Sequence, residues 1–223
     1  MDWKWKENSI LNNYNENTPC KDIFNAVCEE IAEYYIPKGW KYAKSRPKLT
    51  YNDKKIKYEI TFWSSGSNMA GDFVNLEIIP SLIDLDFKKE MQSKGIDSNG
   101  YIFGLSNLFS EKLISIPKGT KRVINIFGEV KDSEENYEET GILRYNHNIN
   151  VYGVTKVDFL KILEFIDSRI IVWIDWINDY EKVKELTIKS CGYGRETMKT
   201  VDFLNFIDFK FPGKRKELEE ILK

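Results

Sequence analysis

Two runs of strict alternation set the first limit on what this chain can fold into. Ile56, Tyr58, Ile60 and Phe62 alternate with Lys57, Glu59 and Thr61, and Val74, Leu76 and Ile78 alternate with Asn75 and Glu77. Successive side chains on a strand point to opposite faces, so each run predicts a strand with one buried face. Between them lies a polar, glycine-containing stretch over residues 64–72, and the three segments together predict an antiparallel hairpin. Residues 40–50 are expected to add a strand before the hairpin. Pro80 is expected to close it, with a short helix over 82–94.

Helical signals flank this β region. Thr18 is placed to cap a helix, Pro19 suits its first position, and Asp22 favours the dipole of the first turn. Ile23, Val27, Ile31 and Tyr34 then form one stripe, widened by Phe24, Cys28 and Tyr35, before Pro37 and Gly39 end it. Residues 95–121 give no clear period. Residues 122–130 and 142–152 read as two strands joined by an acidic loop. From Thr155-Lys156-Val157-Asp158, a capping-box pattern, the chain reads as helix to about Lys189, with a break expected near Ser168 or Asn178. Cys191-Gly192-Tyr193-Gly194 reads as a stop, followed by helices over about 197–208 and 214–222. Val157-Asp158-Phe159-Leu160 recurs as Val201-Asp202-Phe203-Leu204, which reads as two similar helix starts. Strands in the first two thirds and helices in the last predict an α+β fold: an N-terminal helix, a mainly antiparallel sheet and a helical C-terminal part from about residue 155. Residues 1–17 form a polar arm, ordered if Trp3 and Trp5 dock, and 18–223 form one domain.

Composition narrows the function classes. Thirty-three basic against thirty-five acidic residues leave a net charge of -2, so overall charge argues for neither nucleic acid nor membrane. Residues 159–177 are apolar but carry Lys161, Glu164, Asp167, Arg169 and Asp175, too many charges for a membrane span. The first residues lack the apolar stretch of a signal peptide, and Cys20, Cys28 and Cys191 are an odd count without ligand spacing. A cytoplasmic protein with reduced thiols, no membrane partner and no cofactor is expected.

Catalytic motifs are incomplete. Gly66 and Gly71 have phosphate-loop spacing, but Asp72-Phe73 stands where a lysine and a hydroxyl are needed, and a strand follows instead of a helix. His147 is the only histidine; with Leu143, Tyr145, Ile149 and Val151 facing the core, alternation places it on the core face. There it is either a structural residue or a lone base. Glu129-Val130-Lys131, with Asp97 or Glu111 upstream, outlines a metal-dependent hydrolase or nuclease in which carboxylates hold the ion and lysine places the water. The upstream Pro-Asp of such sites is missing.

Two charge clusters offer binding surfaces. Lys41, Lys44, Arg46, Lys48 and Lys55 belong to a basic run over residues 38–58, interleaved with Trp40, Tyr42, Tyr51 and Tyr58, as a nucleic-acid-binding surface would require. Alternation sends Tyr58 to the other face, which favours an ordinary solvated surface. The second cluster is acidic: Asp132, Glu134, Glu135, Glu138 and Glu139 fall together on an expected loop, where they could meet a basic protein partner. The aromatic residues Phe159, Phe165, Trp173, Trp176 and Tyr180 read as helix packing.

One helix, a Trp/Lys-rich strand, then Ile56-Lys57-Tyr58-Glu59-Ile60-Thr61-Phe62 and Phe73-Val74-Asn75-Leu76-Glu77-Ile78 resembles, over residues 20–80, a group of uncharacterised bacterial proteins. Those are domains of unknown function, some of them candidate immunity proteins encoded beside toxins. The resemblance implies a non-enzymatic cytosolic α+β domain with a toxin as protein partner, and brings no functional residue with it.

Overall fold

The alternating runs lie at the centre of a sheet, as their pattern requires. The structure is a computed structural model and describes residues 3–134 and 141–223. Helix α1 (Cys20–Tyr35) precedes strands β1 (Lys41–Ala43), β2 (Lys48–Asn52), β3 (Ile56–Trp63) and β4 (Asn75–Asp84), and helix α2 (Leu85–Ser93) follows. Next come β5 (Tyr101–Gly104), α3 (Leu105–Leu108), β6 (Ser110–Lys112), β7 (Thr120–Asn125), β8 (Val130–Glu134), β9 (Ile142–Asn146) and β10 (Asn148–Asn150). Helices α4 (Lys156–Ile166), α5 (Trp173–Trp176), α6 (Tyr180–Lys189), α7 (Gly192–Met198), α8 (Val201–Lys210) and α9 (Arg215–Leu222) complete the α+β fold.

One sheet runs β1-β2-β3-β4-β10, with β5 sharing the β10 edge of β4; all these pairs are antiparallel. The second sheet runs β6-β9-β7-β8, and β9 lies parallel to β7. The sheets join where β9 passes into β10 through His147, whose carbonyl accepts from Ile78 N at 3.0 Å. Beside it, Phe109 links α3 to β6, and its carbonyl accepts from Tyr145 N at 2.8 Å.

Ile23, Val27 and Ile31 of α1, Ile60, Leu76 and Leu82 of the sheet, and Phe159, Ile162 and Ile166 of α4 share one core. Each such side chain contributes ~1.5–3 kcal/mol by leaving water. The arm packs on this core: Trp3 and Trp5 both meet Phe159, and buried Glu30 accepts from Trp3 Nε1 at 3.2 Å and Lys6 N at 3.0 Å. Val157 and Val201 are both exposed and Phe159 and Phe203 both buried, so the repeated tetrapeptide opens two helices in the same way.

Four local expectations are corrected. Thr18 does not cap α1, which begins after Pro19 without a side-chain cap; its hydroxyl instead accepts from Asn15 N. The strand expected to end at Pro80 continues to Asp84, and the helix starts only at Leu85. Ile78 N donates toward β10, so alternation turns the Pro80 nitrogen to the same edge, into the gap between β10 and β5, where no ladder bond is lost. Residues 122–130 are not one strand: Gly128, at φ 96, turns the chain between β7 and β8. Finally, the stop expected over residues 191–194 is shorter than that: α6 ends at Lys189, and Gly192 already opens the next helix. Cys191 precedes α7, and Gly194 lies inside it, against the backbone of Ser106. The long helical run breaks at both expected places, through a π-helical turn over Asp167–Ile171 and again after Trp176.

Candidate functional site

The acidic cluster begins on a strand. Asp132 and Glu134 are exposed on β8, while Glu135, Glu138 and Glu139 lie outside the described residues. β8 is an edge of the second sheet and all five of its residues are exposed, Val130 by 59%. Asn125 N donates to Glu129 O at 2.8 Å, which marks that opposed pair as hydrogen-bonded. Pairs alternate along an antiparallel ladder, so Lys131 and Ser133 bond to β7 while the amides of Val130, Asp132 and Glu134 point outward. Asp132 and Arg122 face each other across a non-hydrogen-bonded pair and form a two-pronged ion pair at 2.8 Å. Their mutual hydrogen bonds hold the aspartate pKa below its ordinary value and lift that of the guanidinium.

The basic segment is dispersed by the sheet. Lys41 and Arg46 are exposed, Lys55 sits in the turn before β3, and Lys44 pairs with Glu29 at 2.7 Å. Lys48 and Lys57 flank Glu59 at 2.7 and 3.0 Å. Burial would raise the Glu59 carboxyl, but the two lysines overcome it and hold its pKa low. Trp40 and Tyr58 are buried, and the Trp40 ring packs at a tilt against those of Tyr58 and Tyr51, so the two buried rings offer no platform for bases.

The residues of the metal reading are not assembled. Glu129 and Lys131 are exposed around the start of β8 and Asp97 lies in an exposed loop. Glu111, on β6, is engaged by Arg169 at 3.7 Å and Lys189 at 3.9 Å. Among the described residues no group of three or more His, Cys, Asp or Glu could hold a metal ion.

His147 is on the core face, as alternation predicts, and only 4% exposed. Its ring stacks on Phe109, with centroids 5.0 Å apart, and its Nε2 lies 3.3 Å from Glu77 Oε1. The buried Nδ1 has no hydrogen-bond partner. Burial pushes the ring pKa below its ordinary value, against the upward pull of Glu77 and the Tyr145 carbonyl. The ring lines a cleft of about 340 Å³ together with Ser110, Lys121, Arg144, Cys191 and Tyr193.

Comparison with protein-family models, curated proteins and solved structures gives no match. No helix among the described residues is long and apolar enough to cross a membrane.

Two features escaped the sequence. One is the Arg169 network on the π-helical turn: the guanidinium lies 3.6 Å from the centroid of the Tyr145 ring, donates to that tyrosine's hydroxyl, and reaches Glu111. It lines a second cleft, of about 420 Å³, with Trp173, Trp176 and Lys189. Such turns recur at functional sites, and only the five charges between 159 and 177 hinted at one here. The other is the exposed edge of β8, hidden because the pattern over residues 122–130 reads as a single strand running through the Gly128 turn.

Proposed function

We propose that this chain is a non-enzymatic cytoplasmic binding protein, an immunity protein that neutralises a toxin partner by protein–protein contact. The partner adds an extended strand to β8. The observation that carries this reading is the edge itself, with five exposed residues and three outward-pointing amides. A row of unpaired amides and carbonyls is a template for another chain, and strand addition gives affinity through the main chain. Specificity then comes from charge. Val130, Asp132 and Glu134 share one face, so a partner strand with Lys or Arg at alternate positions meets opposite charges, each such pair giving ~0.2–1 kcal/mol. The acidic residues beyond Glu134 favour the same basic partner and speed its approach.

The experiment is recovery of the tagged chain from host cells, with the partner's affinity then measured against two variants. Asp132→Ala keeps the outward amide, whereas Asp132→Pro removes it without breaking a bond to β7. Asp132→Pro is expected to weaken binding at least about tenfold relative to Asp132→Ala. Recovery of the chain without a protein partner, or equal binding by the two variants, would sink the proposal.

A further inference from the structure

The side chains along the edge of β8 are not equally open to a partner. Asp132 is already engaged: Arg122, opposite it on β7, donates from Nε and Nη2 to its two oxygens, both at 2.8 Å. A carboxylate held in this two-pronged way has little attraction left for a second cation. Glu134, on the same face and opposite Thr120, is exposed, and its carboxylate makes no ion pair or hydrogen bond among the described residues. Lys131, on the other face, is exposed and equally unpaired among the described residues, and Val130 is exposed and apolar. An acid, a base and an apolar side chain therefore stay open, at three different positions. Their order gives the edge a direction.

A second copy of the chain does not fit this edge. In an antiparallel pair, residues with outward amides must meet residues with outward amides. The registers that set three or more residues of β8 against another β8 therefore centre on Lys131, Asp132 or Ser133. The first opposes Lys131 to Lys131, the second Asp132 to Asp132, and the third Asp132 to Glu134. Like charges directly opposite one another are destabilising, so each register is penalised. A different chain meets no such conflict. Antiparallel addition sets its residues directly opposite those of β8 and is slightly more stable per residue than parallel addition. Directly opposed pairs are also the ones through which single charges select a partner.

We infer, given strand addition at β8, on which this rests, that the occupant is an antiparallel segment of another protein with a defined order of residues. From its N-terminal end the segment reads basic, uncharged, uncharged, acidic, apolar. The basic residue lies opposite Glu134, the acidic one opposite Lys131 and the apolar one opposite Val130. The position opposite Asp132 has no charge requirement, because Arg122 already holds that carboxylate. The order of charges along the segment, more than their sum, selects it.

The test uses two capped peptides of one composition, Lys-Thr-Gln-Glu-Val and its reverse Val-Glu-Gln-Thr-Lys, each flanked by threonines. The full chain is titrated with each at physiological salt, following the backbone amide signals of Val130, Asp132 and Glu134 by NMR. The first peptide is expected to shift these signals saturably, and the reverse one to bind about tenfold more weakly. Glu134→Lys should weaken the first peptide at least about fivefold, and a peptide with glutamate in place of its lysine should recover that loss. Lysine in place of the central glutamine, opposite Asp132, should gain less than about twofold. Equal binding of the two peptides, tighter binding of the reverse one, or no recovery with Glu134→Lys overturns the inference, while shifted β8 amides leave strand addition standing. No shift with either peptide also overturns it, and strand addition is then decided separately by the effect of Asp132→Pro on the captured partner. Shifts that appear on concentrating the chain alone would assign the edge to a second copy and overturn it as well.

Discussion

Replacing Gly194 by alanine separates two accounts of the glycines around residue 192 by the sign of the effect. If Gly194 were a helix breaker of no other use, alanine would stabilise α7 by up to ~1 kcal/mol. The structure gives the opposite sign. A Cβ at Gly194 would lie 2.5 Å from Ser106 O and 2.9 Å from Ser106 C, both backbone atoms that cannot rotate away. Ordinary contact starts near 3.4 Å, so α3 and α7 must move apart by several tenths of an ångström. Overpacking of this kind costs ~1–3 kcal/mol. The shift also strains the buried Asn107 amide, which donates to Gly194 O and Thr197 Oγ1, both at 2.9 Å, and losing such a bond costs ~1–3 kcal/mol. After the gain in helix propensity, Gly194→Ala should destabilise the chain by about 3 kcal/mol. Urea unfolding followed by circular dichroism reads this as a lower midpoint at unchanged slope. A midpoint equal to or above that of the wild type would refute the close approach of α3 and α7.

Glu30→Ala should free the arm, because Trp3 Nε1 and Lys6 N then lose their buried acceptor. The expected cost is ~2 kcal/mol, with tryptophan emission shifted to the red; unchanged emission would count against arm docking. His147 has a depressed pKa in the folded chain, so below its unfolded value of about 6.5 the unfolded chain binds the proton more readily. Its contribution to stability is therefore complete above that pH and is lost on acidification until the folded ring itself protonates. Urea midpoints measured between pH 7 and 5 should show a fall that His147→Gln reduces; the same fall in both proteins would remove His147 as its cause.

Where one pattern spanned a whole element, the sequence was informative. Ile56 to Phe62 alternates without interruption and forms β3, and the capping box at Thr155 and Asp158 opens α4. The core placement of His147 followed from the same alternation, although its partner Glu77 sits on a strand seventy residues earlier. Local pattern failed where tertiary context decided. Pro80 is tolerated inside β4 because its edge there has a gap between two short strands, and Gly194 is small because α3 passes close by. Residues 95–121 were illegible because β5, α3 and β6 are three or four residues each, too short to express a period.

Amide hydrogen exchange tests the central claim most directly, since strand addition at β8 is a statement about individual N–H groups. In the isolated chain, the Val130, Asp132 and Glu134 amides should exchange quickly, while those of Lys131 and Ser133, bonded to β7, are protected. On adding the captured partner, the first three should become protected and the other two stay as they are. Binding that leaves Val130, Asp132 and Glu134 as exchangeable as before would place the partner elsewhere and contradict strand addition.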